Sequence, residues 1–277
     1  MTISVLMSTY HLEKPMYLDE AMRSIWEEQT RKPDQIILVK DGPLTQELDS
    51  VIEKWEHAIG CSKLVVVAND KNKGLALSLN DGIKEVKCEL IARMDTDDIS
   101  LPNRFEIQEK FMEDHPEVDI LGGSLQEFND EGSLHYIRTF PTTVEQIKAS
   151  IHRSSPLGHP TVMFRRRFFD EGFTYKNTYH ICEDIVLWFD ALCAGKIINN
   201  TPEVLIKFRR NASMMHRRSK EKAWSEFKAY NNGIYRLYGV FTTRYLFSVF
   251  RLIFRLLPSK CINYIYTLGK LRNILSK

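Results

Sequence analysis

Three carboxylates stand within four residues at Asp95, Asp97 and Asp98, directly after an apolar run, in the stretch "ELIARMDTDDISLPNRF" (89–105). Acids this close repel one another, so a cation would hold them together. A hard divalent ion such as Mg²⁺ or Mn²⁺ takes a few carboxylate oxygens and fills its other positions with phosphate and water. The alternative that these residues leave open is a solvated turn leading into a helix started by Ser100. A second acidic pair, Glu183-Asp184, opens a predicted helix. Carboxylates at a helix start are favoured by the dipole for structural reasons alone. Their functional reading is a general base that takes a proton from an attacking hydroxyl.

The elements that must position these acids read as α/β. Continuous apolar runs at 3–9, 35–41, 63–69 and 89–95 suit strands buried on both faces of a parallel sheet. Between them, 17–29, 45–59 and 74–86 carry apolar residues at helical spacing. A doubly wound, mostly parallel sheet flanked by helices follows, and ligands bind such sheets beyond the carboxyl ends of the strands. There the chain places Ser8-Thr9-Tyr10, Lys40-Asp41-Gly42-Pro43, Asn69-Asp70 and the Asp95–Asp98 cluster. Neither G-x-G-x-x-G nor G-x-x-x-x-G-K-[ST] is present, which disfavours a dinucleotide enzyme or a P-loop NTPase. Further on, Ser100 with Pro102 predicts a helix to about His115, and strands are expected in 118–130, 134–140 and 203–210. A helix is expected from Thr143, a strand passing into a short helix over 159–173, and a helix from Glu183 stopped by Gly195. Trp26, Trp55 and Trp224 read as core or helix-packing residues.

At 277 residues, 43% hydrophobic and 27% charged, the chain can bury a sizeable core and disorder is disfavoured. Five cysteines without a C-x-x-C pair suggest neither a disulfide framework nor a zinc site, and fit a reducing cytoplasm. The apolar N-terminus reads as a first strand rather than a signal peptide. No segment reaches the ~20 uninterrupted apolar residues of a membrane span. The formal charge of +2 hides an asymmetry: no acid follows Glu226, while nine lysines and arginines do.

The ordered set Ser8-Thr9-Tyr10, Val39-Lys40-Asp41-Gly42, Asn72-Lys73-Gly74-Leu75, Arg93-Met94-Asp95-Thr96-Asp97-Asp98 and Glu183-Asp184-x-x-Leu187-Trp188 resembles the inverting, nucleotide-sugar-dependent glycosyltransferases of the GT-A fold, family 2. The resemblance covers about residues 1–215 and looks closest to bacterial enzymes of O-antigen, capsule and exopolysaccharide synthesis. It implies that Thr9 and Asp41 contact uracil and ribose, that Arg93 sits under the nucleotide, and that Asp95 meets the donor's ribose or sugar side. Asp97, with Asp98 beside it, would hold Mn²⁺ or Mg²⁺ against the diphosphate. Asp184 would be the base and Glu183 would position acceptor or base. One departure stands out: where the family often has two acids after the second strand, the first here is Lys40. His159 resembles a recurrent family histidine near acceptor or diphosphate, with a structural loop histidine the alternative. Arg209, Arg210, His216, Arg217 and Arg218 could close over the diphosphate, or form a solvated basic loop.

In the tail, Arg244, Arg251 and Arg255 share one helical face among apolar and aromatic residues. Such helices lie in anionic membrane interfaces, or else pack on the catalytic body or a second subunit. The high apolar content speaks against a nucleic-acid arm. Three segments are expected: a nucleotide-binding half (1–100), an acceptor half (101–215) and a basic helical tail (216–277). The resemblance implies a metal-dependent inverting transfer of a hexose, galactose or glucose, from a UDP-sugar to GlcNAc on a polyprenyl diphosphate, at the cytoplasmic face of the inner membrane. Rivals are a sugar-nucleotide nucleotidyltransferase, whose glycine-rich basic loop after the first strand is missing, and a non-catalytic nucleotide-sugar-binding assembly protein. The oligomeric state is left open.

Overall fold

The computed structural model describes residues 1–131, 136–179, 182–210 and 219–257. The four apolar runs form β1 (Ile3–Thr9), β2 (Gln35–Lys40), β3 (Leu64–Ala68) and β4 (Leu90–Arg93). Between them lie α1 (Pro15–Trp26), α2 (Gln46–Ile59) and α3 (Leu75–Ile83). Then come β5 (Ile99–Ser100), α4 (Arg104–Asp114), β6 (Ile120–Phe128), β7 (Tyr136–Arg138) and α5 (Val144–Ser150). A 3-10 turn (His159–Thr161) leads to β8 (Met163–Arg165), α6 (Arg166–Asp170), α7 (Glu183–Cys193) and β9 (Ile198–Arg209). Two further helices follow, α8 (Lys220–Tyr238) and α9 (Tyr245–Leu256).

The sheet runs β3-β2-β1-β4-β8-β6-β9-β5, with β7 paired to β6. β1, β2, β3 and β4 are mutually parallel, as are β6 and β9; β8 runs antiparallel to both its neighbours. Alternation along the strands divides the interior into two layers. Leu6, Ile37, Val39 and Ile91 face α3, α5 and α7, while Val5, Met7, Ile36, Leu38 and Ala92 face α1, α2 and α4. Burying each such large apolar side chain contributes roughly 1.5–3 kcal/mol.

Ser100 departs from expectation. It belongs to β5, which pairs antiparallel with β9 through Ile99↔Lys207 and Ser100↔Ile206. Its N–H donates to the Ser24 hydroxyl at 3.0 Å, and α4 begins only after Asn103. A two-residue strand whose partner lies a hundred residues away leaves no local pattern to read. Among the tryptophans, Trp55 is buried and donates to Asp19 at 2.7 Å, whereas Trp224 is 48% exposed, so it is not a core residue.

The buried stripe of α7, Ile185 to Leu192, receives α8. Tyr230 meets the Phe189 ring edge-on at 6.1 Å, and Gly233 lets the helices touch: a Cβ there would lie 2.3 Å from Phe189 Cδ2. Ala229, Tyr230 and Ile234 of α8 therefore share the core of α7. Among the described residues no helix is long and apolar enough to cross a membrane.

Candidate active site

β1 has β2 on one side and β4 on the other, so the chain order reverses between β1 and β4. The carboxyl ends of the strands splay into a crevice at such a reversal. Thr9 closes β1, Asp41 follows β2, and Arg93 closes β4 ahead of the acidic cluster.

On the β1–β2 side, the Asp41 N–H donates to the Thr9 carbonyl at 2.8 Å. The Asp41 carboxylate accepts from the N–H groups of Lys73 (2.7 Å) and Gly74 (3.0 Å), pinning the segment that opens α3. Gly42, at φ +89°, makes that approach possible, because a Cβ there would lie 2.6 Å from the Asn72 nitrogen. Thr9 Oγ1 is buried without a hydrogen-bond partner. Lys40, where the resemblance leads one to expect an acid, pairs with Asp49 at 2.5 Å.

On the β4 side, carboxylate oxygens of Asp95, Asp97 and Asp98 all lie within 4.8 Å of one another. Arg93, 2% exposed, pairs with Asp95 at 2.5 Å through Nη2, while its Nε and Nη1 are buried and unpartnered. Asp98, 1% exposed, accepts the Arg209 N–H at 2.8 Å on Oδ1 and has no partner on Oδ2. Burial, and then the charges of Asp95 and Asp97, push its carboxyl well above the usual range. A set of three carboxylates with a buried, unpartnered oxygen fits a hard divalent cation such as Mn²⁺ or Mg²⁺.

Two residues that sequence reasoning missed hold this end of β4, and a third, Tyr175, lies elsewhere in the site. Arg104, fully buried, donates to the Arg93 carbonyl at 2.7 Å and to Gln108 Oε1 at 3.1 Å. Burial and the neighbouring Arg93 push its guanidinium down to about 9. Its i, i+4 spacing to Gln108 was the available signal. Glu13 accepts the Thr96 hydroxyl at 3.0 Å, with its own carboxyl raised by burial. Tyr175 is described with the base below.

Arg209 is a clamp on the acidic loop. Its Nε donates to the Asp97 carbonyl at 2.8 Å, its other nitrogens reach Glu20 and Asp130, and its guanidinium lies over the rings of Tyr17 (4.0 Å) and Phe128 (4.6 Å). Arg210 pairs with Glu127 at 3.1 Å. His216, Arg217 and Arg218, the rest of the expected closing segment, lie outside the described residues.

Glu183 and Asp184 occupy the first turn of α7 and are half-buried. Burial, then the charge of Glu183, push the Asp184 carboxyl up to about 7, against the pull of the Ile185 N–H and Arg93. Tyr175, 2% exposed, is hydrogen-bonded to His159 Nε2 at 2.8 Å, and its backbone is held by the Asn80 amide at 2.7 and 2.9 Å. Burial raises its phenol, against the charge of Arg93 and with smaller contributions from Asp184, Glu183 and Asp95. The His159 ring meets Trp188 edge-on at 5.9 Å, and burial and Arg93 hold it neutral. The structure thus brings Arg93, Asp95, His159, Tyr175 and Asp184 into one neighbourhood.

The Glycosyl transferase family 2 profile matches residues 4–173. The chain is 34% identical over 268 residues to the amylovoran biosynthesis glycosyltransferase AmsE of Erwinia amylovora, covering 95% of this chain and 97% of that one. It is 35% identical over 266 residues to the UDP-Gal:alpha-D-GlcNAc-diphosphoundecaprenol beta-1,3-galactosyltransferase of Escherichia coli, covering 95% and 94%. Among solved structures, S. aureus TarS 1-349 in complex with UDP-GlcNAc superposes with a TM-score of 0.65 at 17% identity, covering 92% of this chain and 72% of that one. That likeness speaks to the fold.

Proposed function

The chain belongs to glycosyl transferase family 2, and from that premise we propose that it moves a hexose from a UDP-sugar onto a sugar carried on a polyprenyl diphosphate, inverting the anomeric centre. The donor hexose is galactose or glucose, the acceptor sugar is GlcNAc, and an α-linked donor yields a β-linked product. The product is a repeat-unit intermediate of a surface polysaccharide, made by a peripheral protein at the cytoplasmic face of the inner membrane. The 35% identical Escherichia coli galactosyltransferase supports the choice of donor and acceptor.

The observation that carries the reading is the cluster of Asp95, Asp97 and Asp98 beyond the carboxyl end of β4, with carboxylate oxygens within 4.8 Å of one another beside the buried Arg93. Asp97 and Asp98, with Asp95 beside them, would hold the divalent cation, which when bound stabilises negative charge on the departing nucleoside diphosphate. Thr9 offers its unpartnered hydroxyl and Asp41 its carboxylate to the uridine. The unpartnered N–H groups of Arg93 offer further donors to the nucleotide side. Asp184 takes the proton of the acceptor hydroxyl as it attacks, and a carboxylate raised to about 7 is basic enough to assist at neutral pH. Glu183 sustains that basicity through its charge. No covalent intermediate is needed.

The test is transfer by the purified chain with Mn²⁺, a panel of UDP-hexoses and a synthetic GlcNAc-diphospho-lipid. The expected result is a single β-linked product from one donor. Donor hydrolysis without transfer would move the acceptor assignment, and absence of any UDP-sugar binding would overturn the proposal.

A further inference from the structure

α9 separates its cations from its apolar residues, and the cations face the protein. Arg244, Ser248, Arg251 and Arg255 follow one another at spacings of four, three and four, which is one face of a helix. Arg251 Nη1 and Arg255 Nε reach the Glu226 carboxylate of α8 at 3.2 and 2.7 Å. Arg251 lies over the Tyr230 ring at 4.4 Å, Arg244 over Tyr238 at 4.2 Å, and the Ser248 hydroxyl donates to Asn231 at 2.8 Å. On the opposite face Leu246, Val249, Phe250, Ile253 and Leu256 form a ridge, each residue between 41% and 67% exposed. Phe241, in the turn before α9, is fully exposed. The sequence pattern leaves these arginines either in an anionic interface or against the body; the structure turns them toward Glu226 on the body.

We infer that the outward ridge of α9 is a docking surface for an anionic lipid bilayer, entered by apolar side chains while the α9 arginines stay bound to the protein. Charge complementarity selects this occupant. No acid follows Glu226 in the sequence, and Glu226 itself is neutralised by Arg251 and Arg255. Lys228 is exposed on α8, and Lys260, Lys270, Arg272 and Lys277 add only positive charge further along the sequence. α9 itself carries no acid that would repel an anionic headgroup layer. The helix is too short to span, so it lies in the interface with its apolar face down.

The experiment is co-sedimentation of the full chain with phosphatidylethanolamine–phosphatidylglycerol vesicles, at low and high salt, for the parent and for the triple variant Leu246→Ser, Phe250→Ser, Ile253→Ser. The expected result is parent binding that survives high salt in large part and falls about tenfold or more in the variant. A circular dichroism melt checks that the variant is folded. Binding that the variant retains but salt abolishes would overturn the inference in favour of headgroup attraction. Loss of a dimer by sedimentation velocity in the variant, with vesicle binding unchanged, would assign the ridge to a second copy and overturn it too. UDP-sugar binding with Mn²⁺, without vesicles, is measured on both proteins. Its absence from a parent that binds vesicles would remove the glycosyl-transfer proposal and leave the docking surface standing.

Discussion

The N–H of Arg209, at the end of β9, donates to the Asp98 carboxylate at 2.8 Å, and the Arg209 side chain donates to the Asp97 carbonyl at 2.8 Å. The acidic loop after β4 thus takes its shape from a strand more than a hundred residues later. Replacing Arg209 with Gln removes the Glu20 and Asp130 pairs and the stacking on Tyr17 and Phe128, while leaving the backbone bond. Stability should fall by on the order of 2 kcal/mol, read by urea denaturation. The divalent-ion concentration needed for half-maximal turnover should rise more than kcat falls. A loss confined to kcat would place Arg209 on the reacting groups instead.

Removing the metal should stop the reaction. EDTA should abolish transfer and added Mn²⁺ or Mg²⁺ should restore it. Asp97→Ala should lower transfer about 10²-fold or more, because charge on the leaving diphosphate then goes uncompensated. Full activity in EDTA would remove the cation from the site.

Transfer should rise with pH through about 7 and then level, since Asp184 acts only when it has lost its proton and its carboxyl is held near that value. The groups that set it are Glu183, which raises it, and Arg93, which lowers it. Glu183→Gln removes a like charge, so the rising limb should move to lower pH. A profile flat from acid to neutral pH would exclude Asp184 as the titrating base.

Gly233→Ala should cost about 1–3 kcal/mol, because the added methyl would lie 2.3 Å from Phe189 Cδ2. Chemical denaturation reads it directly. An unchanged midpoint would mean that α8 does not rest on α7 at this point.

The parallel half of the fold was legible because β1, β2 and β4 are buried on both faces and so read as unbroken apolar runs. The Asp95–Asp98 cluster was legible because like charges this close repel one another, which drew attention to them against the plainer reading of a solvated turn. What depends on distant partners was not. Ser100 joins a strand through β9, Glu13 finds Thr96 across 83 residues, and Tyr175 finds His159 only once the 3-10 turn and the segment after α6 meet. The arginines of α9 were seen to share a face, but only the position of Glu226 decides which way that face turns.

The measurement that bears most directly on the account is a comparison of the parent chain with Asp184→Asn, reading metal-dependent UDP-sugar binding by calorimetry and transfer by product formation. Donor affinity within about threefold of the parent, with transfer reduced about 10²–10⁴-fold, is the expected result. Transfer that survives in Asp184→Asn with donor binding intact would contradict it.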